Sequence, residues 1–285
     1  MGMPSRTAFA AAAHRAAHQV LEQGRIFTDP LALRILGPGA EIIVDQARED
    51  PSRTRMRAFI AARTRFAEDA LAAAFDRGLR QLVVLGAGLD TFAYRSPLRD
   101  RLRIFEVDHP ATQAWKRERL TDAAIDLPAS LTFAPVDFER ETLAKGLATA
   151  GFDVTRRTFF TWLGVVPYLT PQAAWSTLAF IAGLPGGAHV VFDYSDPPES
   201  LSPEHRARHE NRAARVAALG EPFLNYFEAE ELRARLIALG FAEIEDLGPP
   251  EIARRFFGGS HSSQPDKGGH IVHASTPGCG DRAPT

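Results

Sequence analysis

Residues 82–91, reading Leu82, Val83, Val84, Leu85, Gly86, Ala87, Gly88, Leu89, Asp90 and Thr91, restrict the possible folds of this chain more than any other stretch. The apolar run Leu82 to Leu85 lacks the polar alternation of a half-exposed strand, so it suits a parallel strand covered on both faces. Gly86 and Gly88 flank one small residue and end that strand in a turn that opens a helix. The backbone can pass close under a ligand there, and the unpaired N–H groups of the helix point at the same spot. A dinucleotide fingerprint requires a further glycine three positions on, for packing beneath a pyrophosphate. Thr91 occupies that position. The turn therefore suits a nucleoside without a pyrophosphate, and the plain alternative is an ordinary strand-to-helix turn.

A second strand reads from Leu102 to Val107 and ends on Asp108, twenty residues past the glycine turn, where nucleotide-binding α/β sheets place an acid that bonds ribose hydroxyls. The alternation continues. Strands read at 131–135, 159–163, 189–193, 241–247 and 270–273, and helices at 110–124, 139–150, 171–182, 203–218 and 228–239. Strand alternating with helix predicts an α/β fold, a doubly wound and mostly parallel seven-stranded sheet with helices on both faces.

Ahead of the first strand the pattern is helical: 5–22 with Ser5 as N-cap, a short helix to Leu36, about 41–48, and a long helix over 52–75. This prologue buries too little to stand alone, and is expected to lie over the mouth of the sheet as a lid. The expected organisation is one structural domain, with a helical lid over 1–78, a binding core over 79–275 and a disordered tail over 276–285.

Four strings together resemble the leucine carboxyl methyltransferase family of S-adenosylmethionine-dependent methyltransferases, in its bacterial branch of small-molecule O-methyltransferases. They are Arg63 to Phe66, Val84 to Thr91 with Tyr94 and Arg95, Phe105 to Pro110, and Pro167 to Pro171. The resemblance runs from about Ser5 to His273. It implies a class I, Rossmann-like methyltransferase core whose last strand is antiparallel, and S-adenosyl-L-methionine as cofactor.

On that resemblance Arg63 holds the carboxylate of the methionine moiety, a task a guanidinium fork suits; the plain reading is a solvated arginine in a basic helix. Gly86, Ala87 and Gly88 make the cradle, and Asp108 and His109 follow at the next strand end. Asp137 and Phe138 are expected at the adenine edge and ring, although Asp137 also reads as an N-cap. Leu163 stands where the family usually carries a glutamate, so contacts there fall to the backbone of Leu163 and Gly164. A carboxylate acceptor needs no general base. A hydroxyl acceptor would use one, and His109, Tyr168 and Tyr194 are the candidates at strand ends, with packing as the plain reading of both tyrosines.

The formal net charge of −2 provides no field to collect nucleic acid or anionic lipid. One cysteine excludes internal disulfides. No signal-peptide core or membrane span is legible at the N-terminus, because Arg6, His14, Arg15 and His18 break its alanine run, so a cytoplasmic protein is expected. The pairs His14 with His18 and His205 with His209 have helical ligand spacing but no third ligand nearby; they read as surface histidines, and no metal is expected. The expected partner is a small-molecule acceptor, and oligomeric state is not written in the sequence. Two other functions fit less well: an NAD-linked oxidoreductase, opposed by Thr91, and a catalytically degenerate cofactor-binding protein, for which Leu163 is the only support.

Overall fold

The structure, a computed structural model, describes residues 5–137, 141–258 and 267–278. Seven strands form one mixed sheet: β1 (Gln81–Leu85), β2 (Arg103–Asp108), β3 (Leu131–Pro135), β4 (Thr158–Trp162), β5 (Ala188–Ser195), β6 (Glu243–Leu247) and β7 (Gly269–Ser275). Their order is β3-β2-β1-β4-β5-β7-β6. β2 pairs parallel with β1 and with β3, and β4 parallel with β5, whereas β7 runs antiparallel to both β5 and β6. The expected doubly wound α/β sheet and its antiparallel last strand are both present.

The chain divides into two compact units, residues 1–68 with 80–152, and residues 69–79 with 153–285. In the first, β1 and β2 are buried along most of their length, with Leu82, Val83, Ile104, Phe105 and Val107 in the core. The ring of Phe105 meets Phe152 edge to face at 5.7 Å, a favoured aromatic geometry. The helices α1 (Arg6–Leu21), α2 (Ala32–Leu36) and α3 (Ala40–Glu49) precede α4 (Thr54–Asp76), and Ser5 caps α1 by accepting from the Ala8 N–H at 3.1 Å. After β1 and β2 come α5 (Phe92–Arg95) and α6 (Pro110–Asp122), and α7 (Leu143–Thr149) follows β3.

The second unit carries α8 (Pro171–Ala182), α9 (Pro203–Ala218), α10 (Ala229–Leu239) and α11 (Pro249–Phe256). Both α8 and α9 begin with proline behind a hydroxyl cap, Thr170 and Ser202 respectively. Proline lacks only an N–H that the first turn leaves unused, and its fixed φ favours the helix start.

Several boundaries differ from the sequence expectation. The described helix after β3 begins at Leu143 behind the Thr142 cap, while Glu139, where the helix was expected to start, lies outside the described residues. The helix expected directly after the glycine turn is a single turn, reached through Asp90, whose carboxylate accepts from the Phe92 N–H at 2.8 Å. α11, which begins on Pro249 and Pro250, was not expected at all. Residues 279–285, most of the expected tail, lie outside the described residues, as does Phe138.

Candidate functional site

The backbone at the end of β1 turns through two left-handed glycines, Gly86 at φ +64° and Gly88 at φ +41°, a region that side chains bearing a Cβ adopt at a cost. A Cβ on Gly88 would also come within 2.8 Å of the Ala8 Cβ, so Gly88 lets α1 approach the turn. Ala87 donates to the Val107 carbonyl at 3.0 Å, joining the turn to β2. Asp108 completes the joint. Its Oδ2 accepts from the Gly88 N–H at 2.6 Å and its Oδ1 from the His109 N–H at 2.7 Å. Burial pushes the Asp108 carboxyl up, and these two N–H donors oppose the shift by favouring its ionised form.

Beneath the turn lies an ion pair that sequence reasoning missed. Lys116 Nζ on α6 is 2.7 Å from Glu106 Oε2, both side chains are fully buried, and the Tyr94 hydroxyl donates to the same oxygen at 3.1 Å. Lys116 also reaches the Ala87 carbonyl at 3.5 Å. Burial pushes Glu106 up to about 7 despite the lysine beside it. No local pattern marks Lys116, which sits in a helix of mostly polar residues.

The position that departs from the dinucleotide fingerprint has its own partners. The buried Thr91 hydroxyl donates to Asp29 Oδ2 at 2.7 Å and accepts from Arg95 Nε at 3.0 Å. Arg15 of α1 pairs with Asp29 at 3.4 Å and donates to the Leu89 carbonyl at 2.5 Å, while Arg95 also pairs with Glu68. This buried network ties the N-terminal helices to the glycine turn. Glycine at position 91 would remove its central hydroxyl.

Gly86, Ala87, Gly88, Asp108 and His109 are thus joined within the first unit. Arg63, expected as a solvated arginine on the plain reading, is buried on α4. With Arg53 and Arg57 it acts on His14 of α1, whose pKa falls to about 4, chiefly through burial and then through these three cations. Asp137 follows β3 and is half-buried, its carbonyl accepting from the Glu141 N–H at 2.9 Å. In the second unit Leu163 and Gly164 follow β4, and the Gly164 N–H donates to the buried Asp193 of β5 at 2.5 Å.

Two of the three base candidates have their lone pairs or protons committed. His109 caps α6, its Nδ1 accepting from the Ala111 N–H at 3.2 Å; in the neutral ring the proton then sits on Nε2, leaving no lone pair free there. Tyr194 is buried and donates to Asp246 Oδ2 at 2.7 Å, and burial followed by the Asp246 charge pushes its hydroxyl up. It belongs to a cluster in which His270 bonds Asp246 and Asp196, each at 3.0 Å. Tyr168 is half-buried, its ring 5.3 Å from that of Phe223.

The histidine pairs correct the expectation of surface residues. His18 is fully buried and bonds Glu22 at 3.2 Å, and His209 is buried against Tyr226. Among the described residues no group of three histidine, cysteine or acidic side chains is arranged to hold a metal ion, and no helix is long and apolar enough to cross a membrane.

The family model for leucine carboxyl methyltransferase matches residues 8–182. A Bacillus subtilis (strain 168) protein provisionally named S-adenosyl-L-methionine-dependent methyltransferase YktD is 38% identical over 198 residues, 69% of this chain and 65% of that protein. A Mycobacterium avium (strain 104) protein with the same provisional description is 34% identical over 220 residues, 70% of this chain and 68% of its own. Among solved structures, a DUF574 family protein from Streptomyces avermitilis MA-4680 has the same fold, with a TM-score of 0.55 at 17% identity over 93% of this chain and 97% of that one. This chain belongs to the leucine carboxyl methyltransferase family.

Proposed function

We propose that this protein transfers a methyl group from S-adenosyl-L-methionine to a carboxylate or hydroxyl oxygen of a small-molecule acceptor. The observation that carries the reading is the Asp108 clamp: a partly desolvated carboxylate at a strand end, fixed to a left-handed glycine turn, with further lone pairs on both oxygens. Such a group gains from two vicinal hydroxyl donors, which is what a ribose presents. Gly86, Ala87 and Gly88 let the backbone come close to the nucleoside. Arg63 takes the carboxylate of the methionine moiety, and Asp137 the adenine edge. The bound cofactor supplies a methyl group already activated by its sulfonium.

What remains for the protein is alignment of the acceptor and exclusion of water. The N-terminal helices over 1–78 act as the lid, a reading supported by Ala8 against Gly88 and by Arg15 on the Leu89 carbonyl. With His109 spent on a helix cap and Tyr194 held as a donor to Asp246, the arrangement favours an acceptor oxygen that is ionised without enzymatic help. Titration calorimetry with S-adenosylhomocysteine tests the reading. Binding in the micromolar range is expected, and folded protein that takes up no ligand at high micromolar concentration would sink it. The oxidoreductase alternative requires NAD to bind more tightly than S-adenosylhomocysteine, and the Thr91 network opposes it.

A further inference from the structure

The inward face of α9 is built of polar groups where a surface helix ordinarily carries an apolar stripe. His205, His209 and Arg212 recur at helical spacing along it, and of the whole helix only His209 is buried. Arg212 Nη2 donates to His209 Nδ1 at 3.3 Å, so the histidine proton resides on Nε2, which faces the Tyr226 hydroxyl at 2.9 Å. Burial, and then Arg212, lowers the His209 pKa to about 4, in keeping with a neutral ring that cannot share the load of the cation.

The guanidinium lies 5.1 Å from the centroid of Phe223, whose ring in turn meets Tyr168. Among the described residues Arg212 has no ion pair, and its buried Nε has no hydrogen-bond partner. Two further buried nitrogens in this region share that state: Nδ2 of Asn225 and Nε2 of His205. Asn225 borders Tyr168, because the N–H groups of Leu224 and Asn225 both bond the Pro167 carbonyl, at 2.7 and 3.3 Å. Burial depresses the Arg212 pKa, and the charged and polar groups that act on it are Tyr168, Tyr226, Asp193 and Arg215. Asp193 is itself engaged with the Gly164 N–H, next to the segment assigned above to the cofactor. Buried donors without acceptors cost free energy, and a buried cation without an anion costs more. Sites that keep such groups are commonly functional.

We infer that Arg212, over the Phe223 ring, is the acceptor-recognition centre, and that it binds an anionic group of the acceptor distinct from the oxygen that is methylated. The inference rests on the methyltransferase reading for the word acceptor, but not for the anion. A guanidinium fork matches the two oxygens of a carboxylate or phosphate, and Phe223 with Tyr168 provides a flat apolar wall for the body of the molecule. The anion cannot profitably be the reacting oxygen. Negative charge on an attacking oxygen decreases toward the transition state, so a cation clamped to it would stabilise the ground state more and slow the reaction. Acceptors therefore carry an anionic handle and a separate nucleophilic oxygen.

The test compares wild type, Arg212→Gln and Arg212→Lys, each incubated with methyl-labelled cofactor and a metabolite extract, with products passed over an anion exchanger at neutral pH. Label is expected in retained, still anionic products, reduced by about tenfold to hundredfold in Arg212→Gln and by less in Arg212→Lys. S-adenosylhomocysteine affinity should be equal in all three. The Tm of Arg212→Gln should be no lower than wild type, because the substitution removes a half-buried charge that has no ion pair, an outcome that a purely structural arginine would reverse. Label in neutral products, or undiminished labelling by Arg212→Gln, overturns the inference. If S-adenosylhomocysteine binds but nothing is labelled, the methyl-transfer reading fails by itself. The anion site is then decided by inorganic phosphate and benzoate, which should raise the Tm of wild type but not of Arg212→Gln; equal shifts overturn it. A response to only one of the two anions tells phosphate from carboxylate.

Discussion

Each oxygen of the Asp108 carboxylate accepts one backbone N–H, from Gly88 and from His109, and each keeps a further lone pair for a ligand. From sequence the residue reads as a ligand group that the fold could spare, but the structure also makes it the bond between the end of β2 and the glycine turn. Asp108→Ala should therefore weaken S-adenosylhomocysteine binding by roughly tenfold to hundredfold, for the loss of charge-assisted bonds worth about 1.5–3 kcal/mol. It should also lower the Tm of the ligand-free protein, since the Gly88 N–H loses its acceptor. Asp108→Asn, which keeps one carbonyl oxygen, should recover more of the Tm than of the affinity. Calorimetry and thermal melts on the two variants separate these effects, and unchanged affinity in both would refute the ribose assignment.

Where β5, β6 and β7 meet, their side chains join Tyr194, Asp246 and His270, with Asp196 just past β5, into one buried cluster. Burial disfavours the His270 charge, but hydrogen bonds and charge from Asp196 and Asp246 outweigh it and raise the pKa to about 9. The folded protein thus holds this proton to higher pH than the unfolded chain, whose histidine releases it near pH 6.5. The stabilisation is fully present below pH 6.5 and is lost as pH rises from there through about 9, on the order of 3 kcal/mol in all. Thermal melts between pH 6 and 9.5 should show this fall in wild type. His270→Gln should melt lower at pH 6 and change less with pH, and a wild-type Tm that climbs over this range would contradict the assignment. The three strands that form this cluster were legible in the sequence, β5 from its apolar run and β6 from its alternation. α5 and α11 were not, the first because one helical turn has no periodicity to detect, the second because Pro249 and Pro250 serve a helix start as readily as a break.

At the scale of the molecule, the Thr91 hydroxyl is a joint between the N-terminal helices and the strand-and-turn core of the same unit. Thr91→Val keeps the shape and removes the hydroxyl. It should cost about 1–3 kcal/mol, since Asp29 and Arg95 each lose a buried partner, lowering Tm by roughly 2–10 °C for a chain of this size. Thr91→Gly should destabilise at least as much and gain no affinity for NAD, measured by calorimetry beside S-adenosylhomocysteine. A Thr91→Gly variant that is as stable as wild type would show that the position is only a vacancy in a fingerprint. The succession of strands along the chain, the glycine turn and the acid at 108 were determined by the sequence alone, because strand burial and left-handed turns are set by residues close together in the chain. Phe66, Leu82 and Phe105 went inside for the same local reason. Which charged residues are buried was decided only by the tertiary structure. Lys116 finds Glu106, Thr91 finds Asp29 across sixty-two positions, and the Nε of Arg212 is buried without a hydrogen-bond partner. A cation or carboxylate goes inside only where a distant partner or a ligand compensates its lost hydration, and no local pattern records that partner.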